Sequence, residues 1–361
     1  AGEYERTWDT VIAGSRIKVP MMDIHTVAAG GGSICSFDGE RYRVGPESAG
    51  AHPGPACYGK GGPLTVTDCN VLTGRIQPQW FPKAFGPKGD QALDVKAAEK
   101  RAEEIASAVE GATGKRPDIA ELAAGFLNIA IEHMARAIRK ISIERGHDLS
   151  RYCLQSFGGA GGQHAAMVAD ALGVEKVMMH PFAGILSALG MGLASLGQMR
   201  EQTIETALGH EGLAEAAEVL SQLADDANQT LKNQGVGENS LQTVQSLQLK
   251  YQGSDTALMV PYGDLAAVNE AFYKAHKEQF GFIEPDKTII IDSVVVEATG
   301  GEDQRGIELA PKGQSDQPMD QCQLYYQGQW HDVAVYHRDQ MAVDFEIMGP
   351  ALVMEEHGTN Y

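Results

Sequence analysis

Asp23 and His25 stand two positions apart, just ahead of the run Gly30-Gly31-Gly32-Ser33. On an extended chain, residues two apart face the same side, so this pair could offer metal ligands or a proton-transfer couple to one cavity. The same spacing suits a turn-capping aspartate beside a hydrogen-bonded wall histidine, and spacing reveals no third ligand. Gly30, Gly31 and Gly32 offer bare backbone N–H groups to an anion, with the Ser33 hydroxyl beside them, although triple glycine also builds purely structural turns.

A second segment, Gly45 to Asp68, carries Gly or Pro every two or three residues. Residues locked in φ and residues free to adopt positive φ together prescribe one backbone path, as a pocket-shaping loop requires. Its reactive side chains are Glu47, His52, Cys57, Lys60 and Asp68. Of these, His52, Cys57 and Asp68 join Asp23 and His25 as candidate catalytic groups. Cys57 could act as a nucleophile only with an acidified thiol, and a free cysteine is more often a small buried hydrophobe.

The third segment is Gly158-Gly159-Ala160-Gly161-Gly162, between a strand-like and a helix-like stretch, with His164 in the first helical turn. Such a turn lets a ligand approach the backbone and turns a helix N-terminus toward a phosphate or other polar group. It lacks the Lys-Ser/Thr of a P-loop. Close strand–helix packing would use the same glycines, and His164 could be an ordinary hydrogen-bonded residue.

The elements that must position these groups are readable from periodicity and turn residues. Residues 1 to 75 are β-rich and loop-heavy, with two strands joined at Asp38-Gly39. A helix is predicted from Leu93 to about Glu110. A second starts at Asp118, where Asp118 and Glu121 form a capping box, and stops at Gly146. Its Ile119, Leu122, Ala123, Phe126, Ile129, Ala130, Ile138 and Ile141 fall largely on one face, which marks a core element.

A βαβ unit follows: strand Tyr152 to Phe157, the glycine turn, a helix from Gln163 to Leu172 and strand Glu175 to Met179. Next come a polar helix, Glu211 to Asn233, strands 244–252 and 255–261, helix 264–279 and strand 288–298. A polar stretch leads to a hairpin, Cys322 to His337, turning at Gln327-Gly328. The predicted fold is α/β, divided into a core domain, 1–204, and a C-terminal α+β module, 205–361.

Composition excludes several classes. With 29 Lys+Arg against 48 Asp+Glu the net charge is −19, which rules out nucleic-acid binding by counterion release. A 43% hydrophobic, 21% charged chain of 361 residues buries a large core and is not disordered. The most apolar stretch, Phe182 to Leu196, is broken by Gly and Ser and falls short of the roughly 20 residues of a bilayer span. Cys35, Cys57, Cys69, Cys153 and Cys322 form no CxxC pair, which fits a reducing, cytoplasmic setting. The chain opens at Ala1 without Met and stops at Tyr361 after a strand-like run, so a piece of a longer protein is expected.

The same segments, DIHTVAAGGGSI, VGPESAGAHPGPACYGKGGPLTVTD, SFGGAGGQHA and GILSALGMGLA, together resemble the hydantoinase A/oxoprolinase family. RGHD at Arg145 to Asp148 and KYQGSD at Lys250 to Asp255 resemble the oxoprolinase branch more than the hydantoinases. The resemblance covers almost the whole chain. It implies part of an actin-like ATPase (ribonuclease H-like) fold and ATP-driven opening of a cyclic amide, 5-oxo-L-proline to L-glutamate. N-methylhydantoin, hydantoin or a ketone to be carboxylated are the alternative substrates, and a non-catalytic assembly subunit is the alternative of another class.

By the same resemblance, Gly158, Gly159, Gly161 and Gly162 would lie against the nucleoside of ATP. Asp23 and His25 would be metal or polar ligands, the divalent metal expected to be Mg2+. The family pattern has asparagine where His25 stands. The phosphate loops of the family lie upstream of this stretch, which alone is therefore not expected to hydrolyse ATP. A hydantoinase B-type subunit or domain and an oligomeric assembly are the implied partners. A substrate carboxylate would need a cation such as Arg41, Arg43 or Lys60.

Overall fold

The computed structural model describes residues 6–7, 10–12, 15–17, 21–22, 24–143, 147–301, 313–355 and 358–360. Four strands of two or three residues open it: β1 (Arg6–Thr7), β2 (Thr10–Ile12), β3 (Ser15–Ile17) and β4 (Met21–Met22). β1 pairs with β4 and β2 with β3. The predicted hairpin at Asp38-Gly39 is present as β5 (Ser33–Phe37) and β6 (Tyr42–Ser48), antiparallel. Asp38 closes its turn by accepting the backbone N–H groups of Glu40 and Arg41 at 3.0 and 2.9 Å.

Three helices pack on this hairpin: α1 (Val66–Leu72), α2 (Val95–Thr113) and α3 (Ile119–Ile143). α2 starts where Asp94 accepts from the Ala97 N–H and ends at Gly114, whose φ of +75° suits a residue without Cβ. Asp118 caps α3 as expected, accepting from Ala120 and Glu121 at 2.9 and 3.2 Å, while the predicted stop Gly146 lies outside the described residues. Leu122, Ala123, Phe126, Leu127 and Ala130 recur at helical spacing and are buried with Cys35, Val44, Leu64, Val66 and Cys69.

The expected βαβ unit follows as β7 (Cys153–Ser156), α4 (Ala165–Leu172) and β8 (Lys176–Met179), with β7 and β8 parallel. α5 (Leu186–Leu193) leads to β9 (Leu196–Ala207), α6 (His210–Asn233), β10 (Gln242–Tyr251), β11 (Leu258–Pro261), α7 (Leu265–Phe280) and β12 (Ile289–Gly300). These strands form an antiparallel sheet in the order β11-β10-β12-β9. Leu213, Leu220 and Leu231 of α6 and Phe272 of α7 share a core with Leu247, Ile291 and Val294 of the sheet. The last sheet holds β13 (Asp320–Tyr326) and β14 (Gln329–His337), the hairpin predicted around Gln327-Gly328, then β15 (Ala351–Glu355), parallel to β14, and β16 (Gly358–Asn360).

The protein is thus mixed α/β, in two compact units: Ala1–Ser187 with Leu309–Tyr361, and Ala188–Glu308. This differs from a single boundary at 204. The segment from 313 belongs with the first unit and bonds there: the Tyr325 backbone N–H donates to Thr73 O at 2.8 Å, and the Arg338 side chain donates through Nη2 to Met179 O at 2.8 Å. Gly74 makes the approach possible. Its φ is +77°, and a Cβ would sit 2.2 Å from Gln323 O. Gly74→Ala is therefore expected to destabilise the first unit by about 2 kcal/mol in chemical denaturation, and an unchanged midpoint would contradict this packing. Among the described residues no helix is long and apolar enough to cross a membrane.

Candidate functional site

Two of the three glycine-rich segments converge on one cavity of about 510 Å3 in the first unit. His25, Val27, Ala29, Gly30 and Gly31 form one side. Leu154, Gln155, Ser156, Phe157, Ala160, Gly161, His164, Ala165 and Val168 form another, and Met134, Ala137, Ile138 and Ile141 of α3 supply the third. Ile138 and Ile141, predicted as core, instead face this space. The N-terminal half of α3 fills the core, and its C-terminal half is left as cavity wall.

The Gly30 loop is held by backbone geometry. The Ser33 N–H donates to Gly30 O at 3.0 Å, the Gly30 N–H donates to Ser33 Oγ at 3.0 Å, and Gly31 O accepts from both the Thr67 N–H and Thr67 Oγ1 at 2.9 Å. Ser33 is buried and its hydroxyl closes the turn, and Gly32 O accepts from the Ala49 N–H at 2.9 Å. Gly30 and Gly31 line the cavity, whereas Gly32 and Ser33 do not. His25 is exposed at the cavity, and Asp23 lies outside the described residues.

On the other side, Gly158 and Gly159 are exposed next to the cavity wall, Gly161 is in it, and Gly162 is buried behind it. The Gly161, Gln163 and His164 N–H groups donate to Gly158 O, Ala160 O and Gly161 O, each at 3.2 Å. These three donors are consumed within the turn that precedes α4. A Cβ at Gly161 would lie 2.6 Å from Ser156 Oγ, so a side chain there would require that hydroxyl to turn away.

The Gly45–Asp68 segment is a structural loop in this unit. Asp68 is fully buried and its carboxylate accepts from the N–H groups of Ala56 at 3.0 Å, Cys57 at 2.7 Å and Thr65 at 2.8 Å, and from Thr65 Oγ1 at 2.9 Å. With Thr65 it also forms the capping box of α1. Asp68 is thus an organiser of the loop rather than a catalytic acid or base. Cys57 is fully buried, and burial together with the neighbouring Asp68 carboxylate pushes its thiol far above the ordinary range, which removes it as a nucleophile. His52 is exposed in a turn and does not line the cavity. Arg43 and Arg41 both pair with Asp38, whose carboxyl the Arg41 backbone N–H, the Arg43 side chain and the Glu40 backbone N–H hold below the usual carboxylate range, and Lys60 is exposed elsewhere on the loop.

Sequence reading missed a buried polar cluster behind the cavity wall: Asn70 and Arg75 around the end of α1, with Gln163 and His164. Asn70 Nδ2 donates to Gln163 Oε1 at 3.0 Å and lies 3.4 Å from His164 Nε2. Arg75 Nη1 donates to Gln163 O at 3.4 Å. The readable signal was an amide and a guanidinium bracketing the otherwise apolar run Val71-Leu72.

Burial, with the Arg75 guanidinium nearby, pulls the His164 imidazole from 6.5 to about 4. The unfolded chain therefore binds a proton more readily than the folded one between those values. The stability this residue contributes is complete above about pH 6.5 and is lost as pH falls toward about 4. Unfolding free energy is expected to fall more steeply over that window in the unaltered protein than in His164→Gln, and equal slopes would contradict a buried neutral imidazole.

The sequence model of the family described as hydantoinase/oxoprolinase matches residues 1–200. The chain is 38% identical over 372 residues to 5-oxoprolinase 1 of Arabidopsis thaliana, covering 99% of this chain and 29% of that protein. It spans less than a third of the length of that relative. Among solved structures, the ATP-dependent caprolactamase from Pseudomonas jessenii superposes with a TM-score of 0.76 at 28% identity, covering 98% of this chain and 52% of the other. Nucleotide-free acetone carboxylase superposes with a TM-score of 0.78 at 19% identity, covering 99% and 52%, a likeness of fold alone.

Proposed function

The chain belongs to the hydantoinase/oxoprolinase family, and from that premise we propose that it forms part of an ATP-dependent cyclic amidase opening 5-oxo-L-proline to L-glutamate. One observation carries this reading: the two glycine loops, separated by more than a hundred residues of sequence, meet on a single ligand-sized cavity. Whole-length similarity to a 5-oxoprolinase supports the choice of substrate. The strand–glycine turn–helix unit β7-α4-β8 supports an actin-like ATPase fold for the complete protein.

A five-membered lactam is a weak electrophile with a poor leaving group. ATP, when bound, would supply a phosphoryl group to the amide oxygen, opening the carbon to attack by water. The ring C–N bond then breaks with the nitrogen taking up a proton, and the acyl phosphate is hydrolysed to the carboxylate and phosphate. His25, Gly30, Gly31, Gly161 and His164 would hold the nucleotide. The cavity walls exclude water from its uncharged part. The lactam carboxylate needs a cation, and with Arg41 and Arg43 turned to Asp38, Lys60 or groups beyond this chain would supply it. Among the described residues no three His, Cys, Asp or Glu side chains are placed to hold a metal ion. The divalent cation, Mg2+ in this proposal, would be held by the ATP phosphates together with His25 and Asp23, the latter outside the described residues. A hydantoinase B-type portion, an oligomeric assembly and a cytoplasmic setting complete the proposal.

A second reading changes the cyclic amide, since the caprolactamase likeness is at 28% identity. The test offers the full-length protein, with its B-type portion and ATP, four substrates in turn: 5-oxoproline, N-methylhydantoin, caprolactam, and acetone with bicarbonate. Glutamate formed with stoichiometric ADP is the expected result. Turnover of another substrate alone moves the assignment within the family, and no ATP binding at all favours an assembly role.

A further inference from the structure

None of the residues lining the cavity of about 510 Å3 carries a carboxylate, ammonium or guanidinium group. A lactam carboxylate drawn wholly into it would lose water without gaining a counter-charge. A smaller cavity of about 200 Å3 abuts it, lined by His25, Val27, His133, Arg136, Ala137 and Lys140. His25, Val27 and Ala137 are common to both. On α3, His133, Arg136, Ala137 and Lys140 fall at i, i+3, i+4 and i+7, one face of the helix, beside the face that walls the larger space.

The charge of the smaller cavity is one-sided. In a chain of net charge −19 it brings together a guanidinium, an ammonium and two imidazoles, and no carboxylate lines it. Glu132, a carboxylate on the same stretch of α3, pairs with Arg139 at 3.7 Å. Among the described residues no carboxylate pairs with Arg136 or Lys140, and both side chains are exposed. Like charges at i and i+4 on a helix repel, and a bound anion relieves them. Arginine's planar fork matches the two oxygens of a carboxylate. Lys60, the cation left on the glycine-rich loop, lines neither cavity.

We propose that Arg136, with Lys140 beside it, binds the carboxylate of the cyclic amide and so selects an anionic five-membered lactam over a neutral one. The proposal rests on the cyclic-amidase reading above and deepens it by naming the substrate class, lactams that carry a carboxylate on the ring. The lactam lies where the two cavities meet, at His25, Val27 and Ala137, with its carboxylate toward the α3 cations. Arg136 and Lys140 are binding groups, and neither takes part in bond breaking.

The test measures kcat and KM of the full-length protein, with its B-type portion and ATP, for 5-oxo-L-proline and for 2-pyrrolidinone, the same ring without the carboxylate. Both side chains are exposed on α3, so their substitution leaves the core undisturbed. In Arg136→Gln the KM for 5-oxoproline is expected to rise about 30-fold with kcat changed by less than about 3-fold, and in Lys140→Gln to rise about 5-fold. Arg136→Lys, which keeps the charge and loses the fork, is expected to recover part of the loss. The kcat/KM for 2-pyrrolidinone is expected to stay the same in all three variants, a split that mere loosening of the fold would not produce. An unchanged KM for 5-oxoproline in Arg136→Gln, or an equal loss for both lactams, overturns the proposal while leaving the cyclic-amidase function intact. No turnover of 5-oxoproline by the unaltered protein overturns both. If 2-pyrrolidinone is turned over too slowly to measure, the KM for 5-oxoproline across the three variants decides alone.

Discussion

Asp68→Ala is expected to lower the unfolding free energy of the protein by about 4 kcal/mol. The carboxylate is fully buried and takes hydrogen bonds from three backbone N–H groups and the Thr65 hydroxyl. Removing it leaves those buried donors unpaired at about 1–3 kcal/mol each, with partial relief as the loop relaxes. The group ties Ala56 and Cys57 to Thr65, alongside the Ala56 N–H to Pro63 O bond at 3.0 Å, so its loss loosens the loop without freeing it. Asp68→Asn keeps one acceptor oxygen but turns an NH2 toward N–H donors, and is expected to lose about half as much. Denaturant unfolding monitored by intrinsic fluorescence measures both. A change below about 1 kcal/mol for the alanine variant would mean that the carboxylate is not the organiser of this loop.

The second large effect is on ligand binding. Ala137 is half-buried on the cavity face of α3, so Ala137→Trp places an indole into the cavity without displacing core atoms. ATP binding by the full-length protein is expected to weaken about 100-fold, the upper end of what forced overpacking costs. Stability is expected to change by less than about 1 kcal/mol, because the added side chain enters open space. Ala112→Trp, at an exposed position of α2, is the control expected to leave binding unchanged. Titration calorimetry distinguishes the two, and equal affinities would move the nucleotide out of this cavity.

Local patterns disclosed much of the fold. α2, α3, α6 and α7 lie within a few residues of their predicted spans because an apolar stripe and capping groups such as Asp94, Asp118 and Asp264 are local facts. The hairpins at Asp38-Gly39 and Gln327-Gly328 were legible for the same reason. Long-range pairing was not: β13 to β15 read alike whether they join the preceding module or return to the first unit, and only the Tyr325–Thr73 and Arg338–Met179 bonds decide. The site divides in the same way. Glycine spacing picked out Gly30, Gly31 and Gly161, but a buried loop-tying aspartate and a catalytic one have the same letter. Thr65, three residues before Asp68, was the clue to the structural role. Asn70 and Gln163 were not picked out because Asn70 meets Gln163 and His164 across more than ninety residues of sequence.

The most direct measurement is ADP release by the full-length protein with its hydantoinase B-type portion, with and without 5-oxoproline, in the unaltered form and in Ala137→Trp. Stimulation by 5-oxoproline in the first and little ADP release in the second is the expected result. ADP release indifferent to 5-oxoproline, or undiminished by the indole, would contradict an ATP-driven lactam opening that uses this cavity.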